Sequence, residues 1–180
     1  MNAEKELREC FRAARKLEEK GMKHKGLITV PPDTKEAKQY LEKARRELRL
    51  CGLYRKEGFD YKLPEEWFYT LYYCALSILA RIGVESRSQK YTALLLEYLK
   101  QKELVSYDYR FIQMIKVHSR KEEESEVDRR EYARYSSAIR IEEVEERYER
   151  MMDLCREAIS QAEEIVYFKD RISMPKEISE

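Results

Sequence analysis

Glycine and proline are scarce in this chain, five and four in 180 residues. So few turn-formers leave little room for the many tight hairpins of a β-rich protein. The balance of 43% hydrophobic to 39% charged residues is that of amphipathic helices. Histidine occurs only at 24 and 118, and neither has a second His or Cys at ligand spacing, so no metal site and no cofactor is expected. Cysteines 10, 51, 74 and 155 form no Cys-x-x-Cys pair, and reduced, buried thiols of an intracellular protein are the expectation. The N-terminus is charged from Glu4 onward and has no apolar signal region, which argues for a cytoplasmic location. No Gly-rich phosphate loop, internal repeat or strand alternation is legible. A net charge of +1 supplies no global field toward nucleic acid or membrane.

What the sequence does have is one apolar stretch, from Pro64 to Gly83. Pro64 suits a first helical turn, Glu65 and Glu66 complement the macrodipole, and Gly83 can form a left-handed C-cap. Between Trp67 and Ile82 the only charge is Arg81. A helix without a polar face must be buried on all sides, and this one is shorter than the ~20 residues needed to span a bilayer. Its excess apolar surface also points to a second subunit.

The flanking segments read as amphipathic helices. Leu7, Cys10, Phe11, Ala14 and Leu17 mark a first helix over 3–21, followed by a connector ending in Pro31-Pro32. Asp33 and Glu36 have capping-box spacing before a second helix that stops near Gly52 or Gly58. Ser86 or Ser88 can cap a fourth, with Tyr91, Leu94, Leu95, Tyr98 and Leu99 inward. Phe111, Met114, Ile115 and His118 mark a fifth, which enters the charged run 120–126, read as a break rather than a solvated continuation. Regular structure resumes around 127–135. A last long helix covers 141–168, with a frayed tail beyond. The fold class is all-α: an antiparallel bundle of about five to six helices around the helix 64–82. Residues 1–30 form an N-terminal helix and connector, 31–169 the main helical domain and 170–180 a flexible tail.

The segment from Tyr72 to Thr92, with its Tyr-Tyr-Cys-Ala core, terminal Gly83 and Ser-containing loop, resembles the centre of HEPN domains, closest to the single-domain archaeal branch. Arg8-Glu-Cys-Phe11, the Pro31-to-Ala44 lead-in and Arg130-Glu-Tyr-Ala-Arg-Tyr135 are similar to other segments of that family, with Arg134 where an Asp is usual. The resemblance covers roughly residues 8–168, as motif order and spacing. It implies a helical bundle that dimerises, RNA- or nucleotide-related work, and a place in a toxin–antitoxin-like system with a nucleotidyltransferase-type partner. The nuclease branch of the family uses Arg, four to six residues, then His. This chain departs from that pattern, since Arg110 lies seven intervening residues before His118 and no Arg stands at the right distance before His24.

Candidate site residues follow from phosphodiester chemistry, which needs a proton-transfer group and a cation for the developing charge. Arg130 with Tyr135, and Arg110 with His118, are the catalytic candidates of a metal-independent ribonuclease. Arg130, Arg134 and Tyr135 are the nucleotide-binding candidates. The alternative for Arg130 is an ion pair with the last helix, and for His118 a structural place on an apolar stripe. A binding or scaffold module is the leading reading. The cluster Tyr107 to Phe111 can stack bases but fits core packing better. The run Lys43 to Arg49 can touch phosphates, but its interleaved glutamates fit a solvated face. Residues 1–62 hold 17 Lys/Arg against 11 Asp/Glu, an asymmetry that marks either a nucleic-acid surface or a subunit contact.

Overall fold

The central apolar helix, α3 (Leu63–Ile82), follows a short 3-10 turn at Asp60–Lys62 and has Pro64 in its first turn. It ends on Gly83 in the left-handed conformation, φ 84°. Around it, this computed structural model describes residues 3–116, 141–167 and 172–179. The other α-helices among these are α1 (Ala3–Glu19), α2 (Thr34–Lys56), α4 (Gln89–Gln101), α5 (Tyr109–Ile115), α6 (Ile141–Tyr167) and α7 (Lys176–Ser179). The molecule is an all-α bundle, as the composition requires. The charged run 120–126, the segment 127–135 and His118 lie outside the described residues.

Every α3 residue is buried except Glu65, Tyr69, Tyr72, Tyr73 and Arg81, which are half-buried. Helices α2 and α6 pack along most of its length, with α4 and α5 against it as well. Trp67, Phe68, Leu71, Ile78 and Leu79 interlock there with Leu41, Leu95, Phe111, Cys155 and Ala162. Each large side chain so buried contributes about 1.5–3 kcal/mol. The apolar surface of α3 is therefore covered within one chain, which removes that particular ground for a second subunit.

The helix limits follow the capping chemistry closely. Asp33 accepts from the Glu36 amide at 2.9 Å and Ser88 from the Tyr91 amide at 3.4 Å, each satisfying an otherwise orphan N–H. Helix α2 runs through Gly52, whose cost of about 1 kcal/mol is small against its packing. It ends instead before Gly58, which takes φ 76°.

Two expectations are corrected. The chain contains strands: β1 (Leu27–Thr29) pairs antiparallel with β2 (Val84–Ser86), Leu27 opposite Ser86 and Thr29 opposite Val84. The ladder extends through Val30 N–H to Gly83 O and Arg87 N–H to Gly26 O, both 2.9 Å. Three-residue strands are too short to display a period of two. The tail is also not frayed over 172–179. Ile178 is fully buried, Arg8 Nε donates to Glu177 O at 2.9 Å, and Arg15 Nη2 donates to Ser179 O at 2.8 Å. One inserted apolar side chain and two arginines from α1 seat α7 where no periodicity could announce it. Among the described residues, no helix is long and apolar enough to cross a membrane.

Candidate functional site

Of the catalytic candidates, Arg110 is the one the described residues include. It sits in the first turn of α5, where Asp108 is the N-cap and accepts from the Arg110 amide at 2.8 Å. The guanidinium folds back onto the same carboxylate (3.0 and 2.8 Å) and reaches Glu157 of α6 at 2.8 Å. The Arg110 hydrogen bond holds the Asp108 carboxyl below its ordinary range. An arginine shared between two carboxylates has most of its fork occupied, so its local role is to pin α5 to α6. His118, Arg130, Arg134 and Tyr135 lie outside the described residues.

The aromatic cluster around Arg110 is structural. Tyr107 and Phe111 are fully buried, with ring centroids 5.2 Å apart. Tyr109 donates its hydroxyl to Glu97 at 2.5 Å, and Lys116 reaches the same carboxylate at 2.8 Å. Burial pushes the Glu97 carboxyl up, but the bonds from Lys116 and Tyr109 outweigh it and leave it lowered. The bond to Glu97 in turn raises the Tyr109 phenol to about 12. These groups hold α4 to α5 and leave no free base among them.

His24 is likewise built in. Its ring is buried, the Gly26 amide donates to Nδ1 at 3.3 Å, and Nε2 faces Glu85 at 3.2 Å, which assigns the proton to Nε2. The histidine thus clips the connector to β2. All four cysteines are buried and free, and burial raises Cys10 to about 11 and Cys51 to about 12. Such thiols are not nucleophiles at neutral pH. Among the described residues no group of three or more His, Cys, Asp or Glu could hold a metal ion.

The basic run of α2 is consumed internally. Arg45 bonds Glu163, Arg46 and Arg49 reach Glu42, and Lys43 lies 5.3–5.4 Å from the ring centres of Tyr40 and Tyr73. Other cations have no carboxylate partner. Among them, Arg12 and Lys16 stand four residues apart on α1, Lys20 lies in the turn just after it, and Lys23 and Lys25 flank the buried His24 on the connector. All five are exposed and make no ion pair within the described residues. The interleaved glutamates of α2 already point to the solvated pairing there, while the bond from Arg45 to Glu163, 118 residues away, is invisible in one dimension.

Beside this basic end lies a cavity of about 200 Å³, lined by Phe11, Arg15 and Glu18 of α1 and by Ile28 and Thr29 of β1. Both of its charged residues are held in place. Arg15 is held by Ser179 O, and Glu18 Oε1 accepts the His24 amide at 3.0 Å.

The described residues form a helical bundle with exposed cations on α1 and the following connector beside a small cavity. No protein-family model matches the chain, and no curated protein or solved structure matches it either.

Proposed function

We propose that this chain is a HEPN-like binding module that holds RNA, working as a homodimer in a toxin–antitoxin-like system beside a nucleotidyltransferase-type partner. The observation that carries the RNA part is the run Arg12, Lys16, Lys20, Lys23 and Lys25, each exposed and with no ion pair within the described residues. Uncompensated cations on one surface are the electrostatic footprint of a polyanion, since each phosphate contact releases a counterion. The dimer and the partner rest on the family resemblance alone.

Fluorescence anisotropy with a labelled single-stranded RNA tests the reading across a salt series. Log affinity is expected to fall with log salt at a slope of about −0.7 per phosphate contact. Lys20→Glu with Lys23→Glu is expected to flatten that slope and weaken binding at least tenfold. Absence of binding at low salt would sink the RNA part. Cleavage of the RNA that disappears in Arg130→Ala or His118→Ala would replace the binding module with a ribonuclease.

A further inference from the structure

Resting on the RNA reading above, we propose that the cavity between α1 and β1 is a nucleobase subsite, and that Glu18 makes it select guanine. The size of the cavity limits the occupant. An enclosed cavity of about 150 Å³ already admits a benzene ring, so about 200 Å³ is room for one planar heterocycle, with the rest of a nucleotide outside at the rim. The wall chemistry narrows the choice. Phe11 of α1, itself nearly buried, and Ile28 of β1 give the floor an apolar edge against which a ring can rest.

The rim separates the two charges that a nucleotide presents. Arg15 uses Nη2 on the Ser179 carbonyl and has no carboxylate partner, so Nε and Nη1 remain for a phosphate. Arg12 and Lys16 are exposed on the same helix as Arg15. Glu18 has one oxygen anchored by the His24 amide and keeps Oε2 without a protein partner. A carboxylate accepts only, so it calls for a base edge with adjacent donors. Guanine offers N1–H and N2–H₂ side by side. Adenine and uracil each offer a single donor on that edge beside acceptors that would face the carboxylate. A bidentate match of this kind discriminates between bases at least several-fold. The His24 amide and the Ser179 carbonyl fix the two rim residues before any ligand arrives, which limits the ordering cost of binding.

The experiment is competition of GMP, AMP and UMP against a labelled single-stranded RNA on the full chain, repeated with Glu18→Gln and Ile28→Phe. Glutamine keeps an acceptor for the His24 amide, so fold and anchoring persist. GMP is expected to displace the probe at about tenfold lower concentration than AMP or UMP. That preference is expected to shrink below about twofold in Glu18→Gln. Ile28→Phe is expected to fill the cavity and weaken GMP without changing the salt slope of RNA binding. A melting curve confirms that each variant is folded, and Thr29→Trp from the rim replaces Ile28→Phe if that variant is not. Salt-sensitive RNA binding with equal displacement by all three nucleotides overturns the subsite and leaves the RNA reading standing. GMP-selective binding in calorimetry without RNA binding supports the subsite and removes the RNA reading. No binding of either kind removes both.

Discussion

Glu66 carries the most consequential titration in the molecule. It is 8% exposed in the first turns of α3, and burial, followed by a hydrogen bond shared with Glu47 and the charges of Glu47 and Glu65, raises its carboxyl to about 8, against the opposing pull of Lys62. Glu66 is thus protonated in the folded state at neutral pH and ionised in the unfolded one. With the folded value above the ordinary one, the native state binds the extra proton between about pH 4.5 and 8. Stability from this group is full below that window and is lost as pH rises through it. Glu66→Gln is expected to remove the loss and to gain on the order of 1–2 kcal/mol over the wild type at pH 8. Urea unfolding at pH 5 and pH 8 checks this, and a gain that is equal at both pH values would contradict the assignment. Nothing in the sequence marks Glu66 as more than a dipole-complementing acid. Its neighbour Glu47 belongs to another helix. The residues that could be read were those acting within their own turn, Asp33, Ser88 and Gly83, because a cap closes over three or four positions. His24 was not, since its partner Glu85 stands 61 residues away.

At the scale of elements, the same contrast between local and distant partners decides what was legible. Helix α6 is helical throughout its described residues, Ile141–Tyr167, inside the expected span 141–168, because a stripe sustained over 27 residues is a strong periodic signal. The two strands and α7 have three or four residues each and draw their stability from other segments. Gly83 shows how tightly these pieces meet. A Cβ there would stand 2.6 Å from Val30 O, so the turn from α3 into β2 needs glycine for space as well as for its positive φ. The α7 segment is anchored by Ile178 and by two arginine-to-carbonyl bonds, with Tyr98 donating to Glu177 at 3.4 Å. A four-residue helix cannot hold itself together, so its order depends on that anchor. Ile178→Asp places a charge where the side chain is fully buried, and release of 172–179 costs less than keeping the charge there. Hydrogen exchange is expected to show lost protection in 176–179 and on the facing turns of α1. Exchange in α3 should stay slow, with a stability loss of about 1–3 kcal/mol. Unchanged exchange in 176–179 would mean that the arginine bonds alone hold the tail.

For the molecule as a whole, the question is whether the first 30 residues, a helix and a connector ending at Pro31-Pro32, fold with the main helical domain or apart from it. The contacts run against separation. Leu7, Cys10 and Phe11 belong to the same core as Trp67 and Leu95, β1 of the connector pairs with β2 beyond α3, and Asp33 N–H bonds Ala80 O at 3.0 Å. Removing α1 would uncover α4 and the seat of Ile178 together, so opening the N-terminal segment exposes core surface from both halves of the sequence. Elements that share one core unfold together. The single tryptophan, Trp67, is fully buried in α3 and reports the centre of the bundle, while the labelled amides of α1 report its edge. Trp67 fluorescence, far-UV circular dichroism and exchange-detected loss of α1 are expected to follow one transition in urea, with midpoints agreeing within about 0.2 M. An α1 transition at clearly lower urea, with Trp67 fluorescence still native, would make the N-terminal segment a separate unit. It would also place the basic end and its cavity on a part that can detach, because Phe11, Arg15 and Glu18 all belong to α1.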